Sequence, residues 1–210
     1  MNRLLEACCT SPSEVKEAIL NGADRIELCE QIEVGGVTPC EDNIRQSVAL
    51  GLPVNVLIRP RGGDFVFNQD EIEQMLESIE LCRRLGAKGG VIGALKEDGT
   101  IDMEVMKRMM AQAKKERPMN VTFHRAFDRA AEPEKALEQI IELGCDHILT
   151  SGQKDSAMEG AELIAQLVTQ ASGRITVMPG AGVNPSNIDK LQTQTKAVEF
   201  HGTKICSRNF

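Results

Sequence analysis

Two stretches of the chain place a carboxylate two residues before a thiol: Glu6-Ala7-Cys8 and Glu27-Leu28-Cys29. In an extended strand, side chains alternate faces, so residues i and i+2 point the same way. If the apolar partners, Leu5 and Ala7 or Ile26 and Leu28, face a core, then Glu6, Cys8, Glu27 and Cys29 all face the other side. Neighbouring parallel strands lie about 4.8 Å apart, so Cys8 and Cys29 can approach one another, with Glu6 and Glu27 a layer below. Two thiolates at that spacing suit Cu(I), the soft ion that thiolates select. The competing reading makes both cysteines small buried hydrophobes.

A second group is polar and cationic. Arg59 and Arg61 leave one apolar stretch through Arg59-Pro60-Arg61-Gly62-Gly63-Asp64, and His124, Arg125 and Asp128 leave another. Ser151, the turn Gly180-Ala181-Gly182 and His201 end three more. One chemistry for this set is acid–base work by Glu6, Glu27, His124 and Asp128. Arg59, Arg61 and Arg125 would grip an anion, since guanidinium binds carboxylate or phosphate bidentately. Ser151, Gly180, Gly182 and His201 would complete that anion site, the glycine turn through backbone N–H groups. The alternative is a network of paired charges filling the end of the fold. His147 begins its stretch and falls at the opposite end, and the Met103–Met110 run has helical spacing that suits core packing.

Elements of two kinds must position these residues. Short apolar segments at 4–8, 25–29, 54–59, 90–93, 121–125, 147–151, 175–179 and 198–201 read as eight strands. Between them lie amphipathic helices near 12–20, 41–50, 68–85, 102–117, 133–143, 157–171 and 185–193. The first is announced by Ser11-Pro12-Ser13-Glu14, an N-cap serine, a first-turn proline and a glutamate closing a capping box; Asn184 is the expected cap of the last. Turns at Gly22, Gly86 and Gly144 end a helix and lead straight into a strand, the beat of a βαβ array. The expected fold is an α/β TIM-type (β/α)8 barrel in one domain over residues 1–210, where polar strand ends gather at one rim. An open doubly wound sheet is the alternative, but the chain has neither G-x-G-x-x-G after its first strand nor a P-loop.

Composition limits the partners. The 210 residues carry 24 basic and 31 acidic side chains, a net charge of −7, with no Trp or Tyr and six Phe. A phosphate-tracking face needs clustered cations, and a single-strand platform needs aromatics, so nucleic acid is not expected. No apolar run reaches the ~20 residues that cross a bilayer, so no membrane is expected either. Seven scattered cysteines with no signal segment read as reduced thiols in a cytoplasmic protein. Only nine residues follow His201, too few for a full eighth helix, so that helix is expected to be missing or truncated. The uncovered wall between the last and first strands would then invite a homodimer.

The sequence also resembles the CutC family, named for copper homeostasis. The matching segments are ADRIELCE (23–30), GGVTP (35–39), IRPRGGDF (58–65), GALKEDGTID (93–102), TFHRAFD (122–128), ILTSG (148–152), MPGAGV (178–183) and EFHG (199–202). They run in order along nearly the whole chain. The resemblance implies a TIM-type barrel, a cytoplasmic location and copper handling, with Cu(I) held by the thiols of Cys8 and Cys29. Cys9, which makes a vicinal pair with Cys8, departs from the family pattern. Three functions follow for testing: a Cu(I)-binding protein, an enzyme acting on a small phosphorylated or carboxylated substrate at the same rim, and a sensor of small molecules.

Overall fold

A computed structural model describes residues 3–206. Its strands are β1 (Leu4–Cys9), β2 (Arg25–Leu28), β3 (Val54–Leu57), β4 (Gly89–Ile92), β5 (Asn120–Phe123), β6 (His147–Thr150), β7 (Thr176–Pro179) and β8 (Glu199–Gly202). Seven helices alternate with them: α1 (Pro12–Leu20), α2 (Glu41–Val48), α3 (Gln69–Leu85), α4 (Met103–Ala113), α5 (Pro133–Glu142), α6 (Ala161–Ala171) and α7 (Ile188–Thr195). Each strand from β1 to β6 pairs in parallel with its successor, and β8 pairs with β1. This is the TIM-type (β/α)8 arrangement, closed everywhere by ladders except between β7 and β8. Those two strands are neighbours nonetheless, and the loop after β7 closes on the end of β8: a Cβ on Gly202 would lie 2.6 Å from the Val183 carbonyl, which is why a glycine stands there.

The helices form where their signals lie. Ser11 accepts from the Glu14 backbone N–H and Pro12 occupies the first turn of α1. Asn68 and Glu71 close a capping box on α3, which ends at Gly86 in the left-handed region (φ 86°). Two starts differ from the sequence expectation. Helix α7 begins at Ile188 after Asn187, because Asn184 spends its side chain on the Ser186 N–H in a turn of its own. Helix α6 begins at Ala161, residues 157–160 being a turn. After β8, residues 203–206 also form a turn, so no eighth helix occurs among the described residues; the remainder of that expectation, 207–210, lies outside them.

The strands sort their side chains by parity. Ile26, Leu28, Val56, Ile92, Phe123, Ile148 and Phe200 point outward and are sealed beneath the helices. This aliphatic layer, not the barrel lumen, is the main core. The lumen holds Glu6, Arg25, Glu27, Asn55, Thr122, His147 and His201, all buried, with Leu149, Met178 and a small apolar cluster of Cys29, Leu57 and Val91 that Cys8 packs against. TIM barrels ordinarily fill this space with branched aliphatic layers. Here polar groups replace them, and burial obliges those groups to pair.

Candidate functional site

The lumen network runs upward from the N-terminal end of the barrel. Glu199 on β8 accepts from Arg25 Nη2 at 2.7 Å, and His147 Nε2 lies 3.3 Å from the same carboxylate. Arg25 Nε donates to Glu6, which register places beside it. Glu6 also accepts from Asn55 Nδ2 at 3.0 Å and meets His201 Nδ1 at 3.0 Å. His201 Nε2 then lies 4.0 Å from Glu27 Oε1. Above that pair, Cys8 Sγ and Cys29 Sγ stand 3.8 Å apart.

The charges follow from these contacts. Burial opposes ionisation of Glu6, but the hydrogen bond from His201 and the charge of Arg25 outweigh it and hold the carboxyl at about 2. Burial likewise disfavours protonated His201, yet Glu27 and Glu6 raise its pKa on balance. Glu27 lacks such donors: burial, with Glu6 adding repulsion, pushes it up to about 7 against the pull of His201 and Arg25. Its Oε2 is buried without a protein partner. The hydrogen bond to Cys29, burial and nearby Glu27 push the Cys8 thiol well up, so a metal there must displace a proton.

A cavity of about 260 Å³ opens above this floor, at the C-terminal ends of the strands. Cys8, Glu27, Cys29 and His201 form its lower part; Leu57, Arg59, Phe65, His124 and Leu149 wall it; Arg125 and Gly182 reach it from the rim. His124 caps the 3-10 turn Arg125–Arg129 by accepting the Ala126 N–H on Nδ1. Burial and the nearby Arg59 push its pKa down to about 3, so the ring is neutral. Gly93 makes room for it, since a Cβ there would lie 2.7 Å from the imidazole.

Several expected site residues stand elsewhere. Arg61 does not clamp with Arg59: β3 ends at Leu57, parity lapses in the loop, and Glu71 in the first turn of α3 captures Arg61 Nε at 2.6 Å. Asp128 stands outside the cavity lining, its oxygens met by the Thr150 and Ser151 hydroxyls and the Ser151 and Gln153 N–H groups. Arg125 pairs with Asp128 at 2.8 Å and donates to Ser151 Oγ at 3.1 Å, so Ser151 braces the rim. Gly180 gives its N–H to Thr150 O and packs against Leu149, so its own amide is taken, while Ala181 and Gly182 line the cavity. Glu6 lies below the cavity and orients His201. Arg25 and Phe65 were not expected. Arg25 shares the 25, 27, 29 parity and could have been read from it; Phe65 sits in a loop with no periodicity to reveal it.

The donor set admits a soft metal. At a metal–thiolate length of about 2.3 Å, sulfurs 3.8 Å apart subtend a bent angle, which leaves room for a third donor. Among the described residues, one ligand atom each from Cys8, Glu27 and His201 also lies within 4.8 Å of the others.

Fold and site together define a TIM-type barrel with a thiol- and carboxylate-floored cavity at its C-terminal rim. The profile of the CutC family matches residues 3–206, and the chain belongs to that family. A CutC family protein of Parabacteroides distasonis is 49% identical over 96% of this chain and 82% of its own length. The human copper homeostasis protein cutC homolog is 47% identical over 98% of this chain and 75% of its own. A crystal structure of a CutC protein from Streptococcus agalactiae superposes with a TM-score of 0.91 at 31% identity, covering 97% of this chain and 99% of that one. An aldolase at 17% identity and TM-score 0.67 shares the fold alone.

Proposed function

We propose that the protein takes part in copper homeostasis in the cytoplasm, binding Cu(I) as cargo through the thiolates of Cys8 and Cys29. The observation that carries this reading is the 3.8 Å sulfur pair at the floor of the cavity, with His201 and Glu27 beside it. Thiolates select Cu(I) over harder ions, and the name of the human relative points the same way. All seven cysteines are free, as thiol-based metal handling in a reducing compartment requires. Anaerobic competition against a Cu(I) chelator tests it. The wild type is expected to hold one equivalent, and Cys8→Ser with Cys29→Ser is expected to lose it. Unchanged affinity in the double variant rejects the thiol site.

A second reading, an enzyme acting on a small anionic substrate, is favoured by the unpartnered Oε2 of Glu27. A buried carboxyl facing His201 in a cavity can exchange a proton with a bound molecule. Arg59, rather than an arginine cluster, would then hold the substrate's charge.

A further inference from the structure

Arg59 is a buried cation with an unusual set of partners. It is 4% exposed, and its guanidinium donates only to main-chain oxygens: Val34, Gly35 and Gly36 through Nη1, Gly63 through Nη2. Among the described residues no carboxylate forms an ion pair with it; Arg129 and Arg61 add to the positive field around it, and Asp64 offsets part of that field. Its Nε–H is buried without a protein partner. Buried charges are normally paired, and this one lines a cavity.

His124 supplies an independent second donor. Because Nδ1 accepts the Ala126 N–H, the neutral ring carries its hydrogen on Nε2. That nitrogen too is buried without a partner. The two groups flank one aromatic ring: Arg59 Cζ lies 4.6 Å from the Phe65 centroid and the His124 ring 4.9 Å from it. Orphaned buried donors call for an explanation, and both residues line the same cavity.

We propose that the Arg59–His124 wall binds the carboxylate of a small organic acid, with one carboxylate oxygen on Arg59 Nε and the other on His124 Nε2. The Nη groups of Arg59 are committed to loop carbonyls, so its fork is not free to wrap a phosphate. Two single donors and one net positive charge match a monocarboxylate group. Leu57, Leu149 and Phe65 offer apolar surface to a short carbon chain. At about 260 Å³ the cavity takes a metabolite-sized molecule. This site deepens the enzyme reading by naming its ligand class, and it makes no use of the thiols.

Calorimetry on the full chain, metal-free, with potassium acetate, propionate, pyruvate and phosphate against potassium chloride tests the proposal. At least one carboxylate is expected to bind saturably and to shift the imidazole ¹⁵N resonance of His124, one of only three histidines. His124→Leu and Arg59→Met are each expected to weaken that binding at least about tenfold, the loss of a charge-assisted hydrogen bond. If Arg59→Met fails to fold, because it also releases the loop carbonyls, His124→Leu decides alone. Arg45→Ala, on the exposed face of α2, is expected to leave carboxylate affinity within about twofold, well under the 1.4 kcal/mol that a tenfold change represents. Binding that survives while Glu27→Gln shows no catalytic defect would remove the enzyme reading and keep this site. Absence of carboxylate binding, binding of phosphate alone, or binding indifferent to His124 would overturn it.

Discussion

Glu6 shows what a single buried charge does here. It is fully buried and takes hydrogen bonds from Arg25, Asn55 and His201. Replacing it by Gln leaves Arg25 with Glu199 alone, and His201 with Glu27 at 4.0 Å, as counter-charge in the lumen. Breaking such a pair costs about 3–5 kcal/mol, so Glu6→Gln is expected to lower the urea midpoint sharply at pH 7. The pH dependence has a definite sign. The folded-state pKa of about 2 lies below the ordinary 4.5, so the stabilisation is complete above pH 4.5 and lost as the pH falls towards 2. Denaturation curves across that window are expected to fall steeply for the wild type relative to Glu6→Gln. Parallel curves would mean that the carboxylate charge contributes nothing. Parity made Glu6, Glu27, Cys8 and Cys29 legible in the sequence as one face. It could not show which carboxyl would be ionised, because that depends on Arg25, Asn55 and His201 arriving from other strands.

Among the elements, α3 and the loop before it set the shape of the cavity mouth. The Asn68–Glu71 capping box fixes the start of α3, and the same Glu71 holds Arg61 away from the cavity. Asn68→Ala is expected to cost about 1 kcal/mol, read as a shift in urea midpoint without a change in slope. Loss of several kcal/mol would show that the cap also supports the loop. The eight strands and the seven helices were readable from glycine stops, caps and apolar alternation, because these are local signals. The fate of Arg61 was not, since once β3 ends no period connects residue 61 to residue 59. Asn184 misled for a related reason: an asparagine can cap a helix or close a turn, and the choice rests on where Asn187 lies.

At the scale of the molecule, the barrel is dressed unevenly. Where β8 meets β1, Val198 is 56% exposed, with Leu4 and Leu5 only half-buried. Leu4 and Val198 adjoin through a backbone hydrogen bond of 2.9 Å. We propose that a second copy of the chain covers this apolar strip, as isologous dimers commonly do. Light scattering at tens of micromolar is expected to give twice the chain mass, and Val198→Asp to halve it. A monomeric wild type would dismiss the dimer.

The missing ladder between β7 and β8 gives the barrel a mechanical grain. Among the described residues, seven of the eight joints are stitched by backbone ladders, while the eighth has none and is spanned by packing and by Arg25, which reaches both Met178 on β7 and Glu199 on β8. Parting the wall along that meridian severs no ladder, so it is the direction of least stiffness in an otherwise hooped shell. Ala181, Gly182 and Gly202 border the cavity on the same side. The shell is a split ring rather than a hoop, and its split runs beside the chamber.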